Sequence, residues 1–236
     1  MHNPAYPTVL LTGFGPFPGV PVNISIQFAE KLASLGRENF AEIRFITAAL
    51  PVVWRQAPQQ LRHLYRTHRP MFAVHFGVSH IAKGLTIECV AKNQAACIDA
   101  HGQEPVSKIL CPDGPTERMS TLPADLFAMR LREQSIPVVL SQDAGSYLCN
   151  AVLYHALELM DEMNLQGSCG FVHLPSELRL QDAELAEGQP HHIVPHQIVS
   201  QELSFETALE GGLELLTILL QQPGLKQENS QSHKPF

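Results

Sequence analysis

No two of the five cysteines, Cys89, Cys97, Cys111, Cys149 and Cys169, stand in a CxxC spacing, and five is an odd number. Neither a disulfide framework nor a structural zinc site fits such a set, so reduced thiols are expected. The chain also has no apolar stretch of membrane-span length, and Met1 to Pro7 carries no lysine or arginine ahead of the short apolar run Val9 to Leu11. A cytoplasmic protein is the expectation. Basic clusters are missing too: the net charge is -7 over 236 residues, which leaves no electrostatic footprint for nucleic acid or an anionic membrane. The glycine-rich segment Thr12-Gly13-Phe14-Gly15-Pro16-Phe17-Pro18-Gly19 lacks the third glycine of GxGxxG, because position 18 is proline, and no GK[ST] follows. A nucleotide cradle is therefore not expected. Small-molecule or peptide chemistry remains.

What is present is an alternation of strand-like and helical periodicity. Strands are expected at Thr8 to Thr12, Ile43 to Leu50, Met71 to Val78, Leu85 to Val90, Pro137 to Leu140 and Gly170 to His173. Helices are expected at Ile24 to Leu35, Trp54 to His68, Pro123 to Gln134, Ser146 to Asn164 and Ile198 to Gln222. Ala95 to Leu122, punctuated by Gly102, Pro112, Gly114 and Pro115, reads as an irregular or hairpin excursion of the kind that shapes a site. The pattern favours a three-layer α/β/α sandwich on a mostly parallel, mixed sheet. One domain over residues 1–222 accommodates it, with a polar, disordered tail over 223–236.

Ser141-Gln142-Asp143-Ala144-Gly145-Ser146-Tyr147-Leu148-Cys149-Asn150 reads as a turn that delivers a cysteine to a helix start, and Phe171-Val172-His173 ends the next strand with an imidazole. A helix N-terminus and a neighbouring imidazole both favour thiolate over thiol, so Cys149 is the candidate nucleophile and His173 its base. Cys169, beside the apolar run Gly170 to Val172, reads as a small buried hydrophobe. Glu88 lies in the apolar run Leu85 to Val90. If that strand is half exposed, Glu88 merely alternates outward; if it is central, the carboxylate needs a partner, and His173 would supply one while being held in the tautomer that faces Cys149. Phe14 and Phe17 either present two aromatic faces from a stiff loop or plug the core beneath it. Pro175 to His196 is polar and acidic; its His191, His192 and His196 invite a metal-site reading, but no carboxylate or thiol cluster sits nearby to complete one.

The chain resembles the pyroglutamyl peptidase I (pyrrolidone carboxylate peptidase) family of cysteine peptidases. The resemblance begins at Leu10 to Phe17 and Val22-Asn23, resumes at His75-Phe76-Gly77-Val78-Ser79 and Thr86-Ile87-Glu88, and is sharpest at Asp143 to Asn150 and Val172-His173-Leu174-Pro175. It implies an α/β/α fold and a triad of Glu88, Cys149 and His173. It further implies a pocket for a pyroglutamyl ring from Phe14, Phe17, Asn23, Val78, Tyr147 and Leu148. Removal of N-terminal pyroglutamate from peptides without metal or organic cofactor would follow, as would assembly into a dimer or tetramer. Two departures from the family pattern, Pro18 for a glycine and Ile24 for a proline, bear on the substrate loop. Rival readings are a cysteine amidohydrolase for another small cyclic amide and a non-catalytic binding homologue of the same fold.

Overall fold

The computed structural model describes residues 6–179 and 203–221. His191, His192 and His196 and the expected disordered tail lie outside the described residues. Five strands, β1 (Thr8–Phe14), β2 (Arg44–Leu50), β3 (Phe72–Ser79), β4 (Leu85–Glu88) and β8 (Ser168–Pro175), and the short β7 (Val138–Ser141) form one sheet in the order β2-β1-β3-β8-β4-β7. β1, β2, β3 and β8 run parallel, while β4 is antiparallel to β8 and parallel to β7, so the sheet is mixed. β5 (Val90–Lys92) and β6 (Glu117–Met119) pair separately as an antiparallel ribbon.

Helices α1 (Ile24–Asn39), α3 (Ala124–Glu133) and α5 (Phe205–Leu220) pack with one another on one face of the sheet, and α2 (Gln56–His68) and α4 (Leu148–Glu162) on the other. Two cores result. Phe28, Leu32, Phe76, Ile87, Val172, Leu174 and Leu216 fill the first; Leu10, Leu61, Tyr65, Leu153 and Phe171 fill the second. Each such Leu or Phe contributes roughly 1.5–3 kcal/mol relative to exposure, which is why β1, β3 and β8 read as continuous apolar runs rather than alternating ones.

The expected elements are found with three differences. The single run Leu85 to Val90 is divided: Cys89 donates its N–H to Ser141 O and accepts from Ser120 N through its own carbonyl, so the chain leaves the main sheet there and Val90 starts the ribbon. The expected irregular excursion contains β6. Of the closing helix, positions 198–202 and 222 lie outside the described residues, and α5 begins at Phe205, where Ser204 Oγ accepts from Thr207 N at 3.0 Å as an N-cap.

One close approach positions the site. A Cβ on Gly13 would stand 2.3 Å from Ser25 C and Ile26 N, so only glycine lets β1 meet the start of α1. That start is capped by Asn23, whose Oδ1 accepts from Ser25 N at 3.2 Å and whose Nδ2 donates to Gly15 O at 3.3 Å. The loop between Gly15 and Asn23 is thereby pinned over the ends of β1 and β3.

Candidate active site

Strand alternation decides which side chains share a face. On β8, Val172 and Leu174 enter the first core while Phe171 enters the second, so His173 points to the second side together with Phe171. On β4, Leu85 and Ile87 enter the first core, which turns Glu88 to the same side as His173. His173 stands beside Gly77 of β3 and Thr86 of β4 in register, and Glu88 beside Phe171. β4 lies between β8 and β7, so it is a central strand, and Glu88 is 2% exposed. An unpaired carboxylate at that depth would cost several kcal/mol, and it is paired. His173 Nδ1 donates to Glu88 Oε1 at 2.7 Å.

That bond leaves Nε2 as the ring nitrogen turned away from Glu88, and Cys149 is near enough to act on the charge of the ring. Cys149 is the second residue of α4 and is partly exposed. Its Sγ lies over Gly77, where a Cβ would be only 3.0 Å away. Burial disfavours a charged ring at His173, but the charge and hydrogen bond of Cys149 and those of Glu88 outweigh it and raise the pKa from 6.5 to about 10. The ring therefore holds its proton at neutral pH. Tyr147, the N-cap residue of α4, makes no side-chain cap bond, so the amides of the first turn are not closed off by a side chain from that residue.

A second cysteine–histidine pair lies deeper and behaves differently. Thr12 Oγ1 and His75 Nδ1 are 2.7 Å apart, Tyr65 OH is 3.1 Å from His75 Nε2, and the same hydroxyl is 3.3 Å from Cys169 Sγ. Burial lowers His75 to about 3, and it pushes Cys169 up to about 12 against the opposing bond from Tyr65. Both groups are neutral and shielded from solvent, as the sequence suggested for Cys169. This network ties β1, β3, β8 and α2 together.

The six residues expected around the substrate fall into overlapping groups. Phe14 and Leu148 belong to the second core, and Phe17, Tyr147 and Cys149 pack against it. Phe17, Asn23 and Val78 line a cavity of about 600 Å³ at the carboxyl ends of the parallel strands. Phe17 joins the two groups. Phe14 is 5% exposed and sits in the second core at the end of β1, and Phe17 is half-buried and lines the cavity. Two neighbours were not anticipated. Trp54 packs edge-on to Tyr147 with ring centroids 5.5 Å apart, and its Nε1 donates to Cys97 O at 2.9 Å. Gly77 leaves room for the thiol; a glycine inside an apolar strand is a signal of such an approach.

Fold and constellation together define a thiol hydrolase on a three-layer α/β/α scaffold. A family model described as pyroglutamyl peptidase matches residues 7–210. A pyrrolidone-carboxylate peptidase of Bacillus cereus is 30% identical over 213 residues, covering 89% of this chain and 97% of that one. Its counterpart in Bacillus mycoides is also 30% identical, over 211 residues, covering 89% and 96%. Among solved structures, a mutant pyrrolidone carboxyl peptidase from Pyrococcus furiosus superposes with a TM-score of 0.74 at 28% identity, covering 90% of this chain and 98% of that chain. The chain belongs to the pyroglutamyl peptidase family of cysteine peptidases.

Proposed function

We propose that this chain removes an N-terminal pyroglutamyl residue from peptides, with Cys149 as nucleophile, His173 as general base and acid, and Glu88 as the group that orients and charges His173. The observation that carries the proposal is the Glu88–His173–Cys149 line on one sheet face, ending at a helix start without a side-chain cap. His173, charged at neutral pH, is the partner a Cys149 thiolate needs. The thiolate attacks the pyroglutamyl carbonyl, and first-turn amides, including that of Cys149, receive the oxyanion. His173 gives its proton to the leaving amine, then takes one from the water that hydrolyses the thioester.

Neither Cys149 nor His173 lines the cavity, which meets the core on their side of the sheet through Phe17; with the pyroglutamyl ring entering there, its lining suits a substrate without an α-ammonium group. Among the described residues lining it there is no Asp or Glu, and the ionisable ones are His80 and Arg179. A charged peptide N-terminus would lose hydration there with no carboxylate to offset the loss, whereas a neutral lactam ring loses little. A pyroglutamyl amide should therefore exceed the matching prolyl amide in kcat/KM by roughly 10³-fold or more, as expected where a site is built for a polar group its competitor lacks. Hydrolysis of both within tenfold would overturn this specificity.

Action in the cytoplasm, a single domain and assembly into a dimer or tetramer belong to the same reading. The packing of α5 on α1 and α3 supports one domain. Exposed Leu126 and Met129 of α3 and Val139 of β7 support association.

Gly77→Ala tests the placement of the thiol. The new Cβ would stand 3.0 Å from Cys149 Sγ and 2.8 Å from Phe171 Cζ, so sulfur or ring must shift. A 1 Å misplacement of a nucleophile costs about 10²-fold, so a displacement of a few tenths of an ångström should lower kcat for the pyroglutamyl amide by roughly 10-fold. Unchanged turnover would place the reacting sulfur elsewhere.

A further inference from the structure

Asn150 follows Cys149 in the first turn of α4 and is fully buried. Its Oδ1 accepts from Lys92 N at 2.8 Å, and its Nδ2 donates to Lys92 O at 2.8 Å and to Gln94 O at 3.0 Å. The amide thus pairs with the backbone of β5 and its extension much as a strand would. The same stretch of chain holds the turn before the helix: Ala96 N donates to Ser146 O at 2.7 Å, Gln94 Nε2 to Gly145 O at 3.3 Å, and Lys92 Nζ meets Asp143 Oδ2 at 2.8 Å. From behind, Asn93 fixes the brace to the excursion, accepting from Cys111 N at 2.9 Å and donating to Cys111 O at 2.7 Å. Tyr147 contributes no side-chain cap. The start of the helix is thus set through Asn150, the third residue of α4, rather than by a side-chain cap from Tyr147.

We propose that Asn150 is a positioning residue for the reaction: it fixes the first-turn amides, Cys149 N–H among them, relative to the Cys149 sulfur, so that donors stand where the oxyanion forms. The inference rests on the thiol-peptidase reading above. An asparagine that only satisfied buried backbone groups would affect stability, and it would weaken every ligand alike. A positioning asparagine affects the transition state more than the ground state.

The test uses the full chain and its Asn150→Ala and Asn150→Ser variants, each checked for folding by circular dichroism. Three quantities are read: kcat and KM for a pyroglutamyl coumarin amide, inhibition by free pyroglutamate, and inhibition by the aldehyde analogue of pyroglutamate. With the aldehyde, Cys149 sulfur bonds to the carbonyl carbon, the C=O π bond breaks, and the proton held by His173 moves to the new oxyanion, giving a hemithioacetal. In Asn150→Ala, kcat should fall about 10²-fold and aldehyde affinity in step, with KM and pyroglutamate affinity within about threefold of wild type. Asn150→Ser, which keeps one hydroxyl in the clamp, should fall between, and it carries the test if the alanine variant does not fold. A folded variant with kcat within about threefold of wild type, or with all three ligands weakened equally, overturns the proposal. Absence of turnover in the wild type would instead sink the peptidase reading itself, so the two failures are distinct.

Discussion

His173→Ala should lower kcat/KM for a pyroglutamyl amide by roughly 10⁴-fold or more, leaving only what binding and the first-turn amides supply. In the proposed mechanism one substitution removes the base for Cys149 and the acid for the leaving amine, because the same ring does both. It also strands Glu88, which is 2% exposed and whose Oε2 has no hydrogen-bond partner among the described residues. Leaving one partner of a buried pair uncompensated costs about 3–5 kcal/mol, so His173→Ala should also melt earlier than wild type. Glu88→Gln combined with His173→Ala removes the stranded charge; it should recover much of the melting temperature and none of the activity. That separation of stability from turnover assigns the histidine to chemistry. Retention of a tenth of wild-type activity in a folded His173→Ala protein would remove it from the mechanism.

The pH dependence has a definite sign. His173 has a folded-state pKa raised from 6.5 to about 10, chiefly by Cys149 and Glu88 against the opposing effect of burial. A raised pKa contributes stability that is fully present below pH 6.5 and lost as pH rises through about 10. The difference in stability between wild type and His173→Ala should therefore narrow as the pH is taken from 7 toward 10. Activity should fall over the same alkaline range, as the ring loses the proton it gives to the leaving amine.

The catalytic segments were more legible in the sequence than the geometry that joins them. Asp143 to Asn150 reads as a turn into a helix and Phe171 to His173 as a strand end because these signals are local: glycine, then apolar periodicity. Glu88 was readable only as a choice, since its role depends on whether its strand is central. That is fixed by β7 pairing on its far side, a contact more than fifty residues away in the chain. The division at Cys89 was hidden for the same reason: the hydrogen bonds that turn the chain there come from Ser120 and Ser141. Phe14 and Phe17 share one loop and one spacing, and only the tertiary structure separates the core side chain from the cavity wall. Asn150 was visible in the motif without a role, because its partners, Lys92 and Gln94, lie at the end of and just beyond a three-residue strand that no periodicity could announce.

The second large effect concerns the sulfur itself. Five cysteines offer themselves, and three environments differ clearly: Cys169 is buried and pushed up to about 12, Cys97 is exposed, and Cys149 Sγ lies over Gly77, the strand neighbour of His173. Cys149→Ala removes one atom from a partly exposed position, so the fold should be undisturbed while covalent catalysis is lost. The expected fall in kcat is about 10⁴-fold or more, with substrate still bound. The deciding measurement is release of a fluorescent amine from a pyroglutamyl amide by purified wild-type chain and by Cys149→Ala, side by side, with circular dichroism to match their folds. Turnover in the wild type that disappears in Cys149→Ala is the expected result; a matched Cys149→Ala protein that still releases the amine at a comparable rate would contradict it.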